Sequence, residues 1–372
     1  MIEDRKVYQM IADVDELKWF FDHVVTKPRP NESYSAVFVS RHKKLTKEEQ
    51  AVVGLTRRES EFLATQTFRS GYDTENKCET WTFESFLKCL KHFNVDAGAY
   101  TTALGEPIPD KTLAVIFYVN PCDDMAVVDS IMKQADDVKT GISKAMLGGK
   151  ELIDNVESFR FFGNFENSVK HLKAHCKGAT YWMDFDLDVP AWFKEDHTYT
   201  VTGDDGSEES VDVSYYHLLK EVLDNYFGRG AYVIIDTSGG YHILVRTVAI
   251  RGNPNDFCLA AKELYETGVA FGEDEYIDEK GNVKFECIIT ASNRKFDPEQ
   301  DEEAKAAVEK LEALVDSGSI SQREFKVIRR GLYDSLKAQK EKSNKSSIPG
   351  IPLPGTYQYN RPVTVLNKED FE

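Results

Sequence analysis

Between Ala179 and Thr290 the hydrophobic pattern switches repeatedly between two periods, and this constrains the fold more than any other feature of the chain. ATYWMDFDLDV, from Ala179, alternates as a strand does. SYYHLLKEVLDNYFG has helical spacing, with Ser214 as its cap and Gly228 as its stop. AYVIID and YHILVRTV read as two strands joined by the tight turn Thr237-Ser238-Gly239-Gly240. A helix from about Pro254 to Gly268 and the strand VKFECIIT complete the run.

The order strand, helix, strand, strand, helix, strand predicts an α+β unit with an RRM-like antiparallel sheet. The preceding part reads as a mixed α/β half. Asp15–Val25 has helical spacing of Leu17, Phe20, Phe21 and Val24, and SAVFVS reads as a strand. Glu84–Phe93 is an amphipathic helix with Phe86, Leu87 and Leu90 on one face. TLAVIFYV is a buried strand ended by Asn120-Pro121, and a helix follows over roughly Asp124 to Leu147. After Thr290 the pattern breaks. Asp297-Pro298-Glu299-Gln300 is a capping box with Pro at the first helical position, Ser317-Gly318 turns the chain, and Ser321 with Glu324 caps a second helix. The expected organisation is an N-terminal α/β half over 1–165, an RRM-like half over 166–296 and 348–372, and a helical-hairpin insertion over 297–347.

The chain has 372 residues, 41% of them hydrophobic, enough for a substantial core. No apolar run approaches the length of a bilayer span, and the first residues lack the order of a signal peptide, so a cytoplasmic protein with no membrane partner is expected. Six cysteines without a CxxC pair argue against a disulfide framework or a zinc module. His171, His175 and Cys176 in HLKAHC lack a visible fourth ligand and read as an ordinary helix surface. With 46 basic against 63 acidic residues, the net charge of −17 argues against broad non-specific nucleic-acid binding. It leaves room for a local basic groove. Arg41, His42, Lys43 and Lys44, then Arg57 and Arg58, are the candidate nucleic-acid contacts.

Asp184, Asp186 and Asp188 alternate on one strand and therefore share a face, while Met183, Phe185 and Leu187 face the core. Adjacent carboxylates repel one another unless a cation sits among them, and an all-oxygen donor set suits Mg²⁺ or Mn²⁺. Asp184, Asp186, Asp188 and Glu195 also match positions of a calcium loop, but Val189-Pro190 removes its sharp turn. A haloacid-dehalogenase-type phosphatase likewise places DxD after a strand, with no further support in the chain. In TSGGYH, the amides of Gly239 and Gly240 and the hydroxyl of Ser238 are candidate anion donors, and His242 is a candidate phosphate contact.

A strand ending in DxD, a small-residue turn ending in His and an acidic residue on a later strand resemble the three motifs of the archaeo-eukaryotic primase superfamily. MDFD resembles the first motif, SGGYH the second, and FECIIT the third, with LPGT (Leu353–Thr356) similar to the segment that follows it. The resemblance spans about Asp184 to Val365. It departs in having Glu286 where an Asp is usual, Pro352 where a basic residue is expected, and an insertion between FECIIT and LPGT. It implies a two-metal nucleotidyltransferase. Asp184, Asp186 and Glu286 would hold Mg²⁺ or Mn²⁺, with Asp188 an alternative ligand. Ser238, Gly239, Gly240, His242 and Arg294 would hold a nucleoside triphosphate, with Arg361 another source of positive charge. The implied partners are a single-stranded template lying across the N-terminal half and a separate helicase or replication protein. Two other functions fit the same residues: a catalytically weak nucleic-acid-binding module, and a metal-dependent nucleotide hydrolase or transferase.

Overall fold

The run SAVFVS lies within Glu32–Arg41 (β1), which in the computed structural model is buried at every position but the last. Its centre, Ala36–Val39, is apolar on successive residues because both faces are covered. β1 lies between Ser60–Arg69 (β2) and Leu113–Tyr118 (β3), antiparallel to both. Val14–His23 (α1) and Phe83–Leu90 (α2) cover one face. Asp13 caps α1 by accepting from the amides of Asp15 and Glu16. Phe20 of α1 and Phe86 of α2 meet Phe117 of β3 edge to face at 6.0 and 5.8 Å. Asp124–Met146 (α3) and Phe165–His175 (α4) follow, and Val169 and Leu172 of α4 pack against the cluster that holds Val127 of α3. α4 therefore packs with the first half, whereas the sequence had placed a boundary at its start.

A second sheet is built from Trp182–Asp188 (β4), Tyr232–Asp236 (β5), Gly240–Arg246 (β6) and Glu286–Thr290 (β7). Its order is β7-β4-β6-β5, followed by Thr364–Val365, and every neighbouring pair is antiparallel. Tyr215–Phe227 (α5) and Pro254–Ala270 (α6) cover one face. Leu219, Leu223, Phe257, Ala261 and Tyr265 of these helices form a cluster with Phe185, Leu187, Ile234 and Ile243 of the strands. The opposite face joins the first half. Trp182, Val233, Ile235 and Leu244 belong to the same buried cluster as Phe20 and Phe117.

Polar bonds fix this junction. Asn120, 2% exposed, accepts from the amides of Tyr181 and Trp182 at 2.8 and 2.9 Å and donates to the Trp182 carbonyl at 2.7 Å. The Trp182 indole donates to the Val24 carbonyl at the end of α1, at 2.9 Å. Glu32, also buried, accepts from the amides of Arg29 and Ala179.

The C-terminal segment serves both sheets. Gly350–Pro352 and Tyr357–Gln358 pair with β3, Arg361–Pro362 pairs with Tyr357–Gln358, and Thr364–Val365 pairs with β5. The expectation that 348–372 belongs wholly with the second half is corrected here. Ile351 and Leu353 are fully buried in the shared core, and the Leu353 amide donates to the Val115 carbonyl of β3. The sequence also missed a hairpin between β4 and α5, in which Asp196–Thr202 pairs with Glu208–Ser214. Its residues are mostly exposed, and its one apolar face, with Tyr199, Val201, Val211 and Val213, is too short and too interrupted to announce it.

The structure describes residues 7–41, 45–46, 48–50, 60–73, 78–96, 99–101, 105, 107–146, 165–202, 206–270, 285–290 and 348–371, with isolated positions between 308 and 329. The chain divides into two compact units, 1–290 with 348–372, and 291–347. The helical hairpin expected over 297–347 falls almost wholly outside the described residues. Among the described residues, no helix is long and apolar enough to cross a membrane.

Asn120→Ala strands two buried amides and one carbonyl at the junction. It should lower the unfolding free energy by about 2–4 kcal/mol, since each orphaned buried group costs roughly 1–3 kcal/mol. Urea denaturation of the two proteins measures this.

Candidate metal and nucleotide site

The site is set by the register of β4 between its two neighbours. Opposed residues of an antiparallel pair share a face. Asp186 stands opposite His242, Asp184 opposite Leu244, and Asp188 opposite both Gly240 of β6 and Glu286 of β7. The alternation read from the sequence is realised on a regular strand. The calcium-loop alternative, which needs these carboxylates on a tight loop, is thereby overturned. Trp182 lies on the same face and enters the shared core. Burial therefore falls along β4: Asp184 is 2% exposed, Asp186 is 38% exposed in its side chain, and Asp188 is exposed. The carboxylates run from the closed to the open end of the junction between the two sheets.

His242 Nδ1 lies 3.1 and 3.2 Å from the two carboxylate oxygens of Asp184, and Nε2 lies 3.5 Å from Oδ1 of Asp186. Burial disfavours the imidazolium, but the charge of Asp184, the hydrogen bond with it and the charge of Asp186 together raise its pKa above the usual histidine value. Burial, with the neighbouring charges of Asp184 and Asp188, raises the pKa of Asp186, while His242 and Arg41 oppose this. Arg41, at the end of β1, thus brings a positive charge from the first half into the field of this site. The Tyr359 hydroxyl is hydrogen-bonded to it.

The Thr237–Gly240 turn is held by a residue the sequence did not single out. Lys194 donates to the Asp236 carboxylate at 2.6 Å and to the carbonyls of Thr237 and Gly240 at 2.7 and 3.0 Å, with its ammonium 4.8 Å from the centre of the Tyr241 ring. Gly240 is obligatory. At φ +155° any Cβ would lie 2.0 Å from the Leu187 carbonyl, so β6 could not pair with β4 here. The Ser238 amide donates to Gln358 Oε1 at 2.9 Å, which ties the turn to the C-terminal segment. The Ser238 hydroxyl is buried and has no hydrogen-bond partner among the described residues. The expected cradle of turn amides is therefore partly engaged within the protein, and the hydroxyl is its open donor.

The structure brings together Asp184, Asp186 and His242, and places Asp188, Gly239, Gly240 and the backbone of Glu286 beside them. The sequence assigned His242 to a nucleotide, but its ring contacts here are carboxylates. Lys43, Lys44, Arg57, Arg58 and Arg294 lie outside the described residues, as do His42 and the side chain of Glu286. LPGT serves the fold. The Gly355 carbonyl accepts from the amides of Ala12 and Asp13 ahead of α1, and the Thr356 hydroxyl donates to the Leu353 carbonyl. Arg361 is exposed in a short strand beside Gln358. Among the described residues, no group of three or more His, Cys, Asp or Glu side chains is placed to hold a metal ion. The donor chemistry still fits one. Asp184 and Asp186 offer carboxylate oxygens from one face, and the group now between them is the His242 imidazole.

No family model matches the chain, and no curated protein or solved structure matches it.

Removing the imidazole takes away the group that meets both oxygens of the buried Asp184 carboxylate. His242→Ala should therefore lower stability by about 3–5 kcal/mol, the usual cost of breaking a buried pair from one side. Asp184→Asn in the same chain should recover most of that loss, and so should millimolar Mn²⁺ with Asp184 intact. Thermal melts of the single and double variants, with and without Mn²⁺, check both. Lys194→Met should cost about 1–2 kcal/mol through loosening of the turn, read by urea denaturation.

Proposed function

We propose that this chain is a metal-dependent nucleotidyltransferase of the primase-polymerase kind, which adds nucleotides to a nucleic-acid strand. The observation that carries this proposal is the sharing of one sheet face by Asp184, Asp186, Asp188 and His242, at the open end of a junction between two sheets. Support comes from the antiparallel strand order β7-β4-β6-β5, reached through β4, a hairpin, α5, β5, β6, α6 and β7, which is compatible with an RRM-like sheet.

In this reaction Asp184 and Asp186, with Glu286 or Asp188, would hold Mg²⁺ or Mn²⁺. A bound ion would supply charge neutralisation for the attacking hydroxyl and the departing pyrophosphate. The residues of the chain itself do the rest. The imidazolium of His242 turns from Asp184 to a phosphate oxygen of the nucleoside triphosphate and donates to it. The Ser238 hydroxyl donates to a second oxygen. Arg41 neutralises charge from the side of the first sheet. The covered face keeps water from the closed end, where Asp184 sits, and positioning together with electrostatics carries most of the rate.

A second function is favoured by one specific contact. Both oxygens of Asp184 lie within hydrogen-bond reach of the His242 imidazole, an arrangement that is electrically complete without a metal. It suits a catalytically weak nucleic-acid-binding module of the same fold.

Labelled nucleoside triphosphates, Mn²⁺ and a primed single-stranded template distinguish the two. The transferase extends the primer, and release of nucleoside monophosphate without a polymer would instead mark a hydrolase. Template binding with neither product supports the weak module. Asp184→Asn and Asp186→Asn should each reduce extension by roughly a hundredfold or more, equivalent to about 2.7 kcal/mol of transition-state stabilisation. Asp188→Asn, at the exposed end, should reduce it only a fewfold, and the reverse ranking would move the site two residues along β4.

A further inference from the structure

A second reactive cluster lies on the helix-covered side of the same sheet and takes no part in the proposed chemistry. Cys258 of α6 and Cys287 of β7 bring their sulfurs to 2.9 Å, both as free thiols and both partly accessible. That is closer than the roughly 3.5–4.0 Å at which non-bonded atoms usually settle. It is less than about 1 Å beyond a disulfide bond of 2.03–2.05 Å. At this distance the two thiols are within reach of one another, and either sulfur can donate to the other.

We propose that Cys258 and Cys287 are a reversible oxidation site, which hydrogen peroxide converts to a disulfide tying α6 to β7. The Cys258 thiolate attacks one peroxide oxygen. A sulfur–oxygen bond forms, the oxygen–oxygen bond breaks, and the hydroxide that leaves takes up a proton as water. Cys287 then loses its proton and attacks the Cys258 sulfur. The sulfur–sulfur bond forms, the sulfur–oxygen bond breaks, and a second hydroxide leaves as water. Two thiols are oxidised by two electrons and one peroxide is reduced to two waters.

The position of the bond gives it a consequence. β7 is the outer strand of its sheet, paired through β4, and Glu286 precedes Cys287 in it. A covalent tie to α6 holds this strand in register with Asp184, Asp186 and Asp188. Reduction leaves that register to main-chain pairing and side-chain packing. The site does not depend on the transferase proposal, because its chemistry and its test involve only the two sulfurs.

The test treats the full-length reduced protein with a small excess of hydrogen peroxide, followed by intact mass measurement, peptide mapping and thermal melting. The expected result is the loss of two hydrogens per chain, mapped to one crosslink between Cys258 and Cys287. The melting temperature should rise, and dithiothreitol should reverse both changes. Cys258→Ser and Cys287→Ser should each melt close to the reduced wild type and show neither the crosslink nor the rise. A crosslink between other cysteines, a crosslink between chains, or stable sulfinic acid at Cys258 without a crosslink would each overturn the proposal.

Discussion

The Asp184 carboxylate is 2% exposed and meets the His242 imidazole at 3.1 and 3.2 Å, and a carboxylate so far from water is costly without such a polar partner. The rest of the site depends on this contact. It places a charge in the shared core, where solvent screening is weak, and it does so on the face by which the second sheet joins the first. An apolar residue at position 184 would have continued the cluster of Trp182, Val233 and Leu244 without difficulty. The chain instead places a carboxylate hydrogen-bonded to an imidazole there and surrounds it with a frame of polar bonds. Asn120 clamps the start of β4, Gly240 permits β6 to approach, and Lys194 fixes the turn that delivers His242.

The frame explains why the site opens in one direction. Trp182 and its bond to Val24 close one end of β4, and Asp188 is exposed at the other. Along the strand the carboxylates therefore pass from a buried to a solvated environment within two side-chain repeats. Burial raises the pKa of Asp186, and His242 and Arg41 counter it from two different sheets. The electrostatics of the site are thus a property of the junction, and neither half would produce them alone.

The sequence made the shared face legible and left its partners hidden. Alternation of period two places Asp184, Asp186 and Asp188 together whatever the tertiary structure, and the short turn before His242 brings the next strand alongside. Which residue stands opposite which is a matter of register, and nothing local announces that His242 meets Asp186. The burial gradient was illegible because it depends on α1 and on Asn120, which the sequence showed only as the end of a strand. Lys194 has no signature, since a lone lysine after Pro190 and Trp192 reads as surface. LPGT misled in the opposite way: its match to a motif concealed a structural turn, in which Gly355 sits at φ +79° against Asp13 and Leu17. The hairpin of Asp196–Thr202 and Glu208–Ser214 escaped because its apolar face, Tyr199, Val201, Val211 and Val213, is short and broken by His197 and Glu209.

The balance of charge at the site also orders the events of the proposed reaction. Asp184, Asp186 and Asp188 bring three carboxylates to one face, and His242 and Arg41 are the cations that act on them. Lys194 is committed to Asp236 and two carbonyls. A triphosphate approaching this face in a chain of net charge −17 meets repulsion until cations neutralise the carboxylates. In the proposed reaction, residues that held a metal would free the His242 imidazole for a phosphate oxygen, so that metal binding and phosphate recognition would be coupled through a single histidine. The contact with Asp184 in this structure and the contact with a nucleotide expected from the sequence would then be two positions of one side chain.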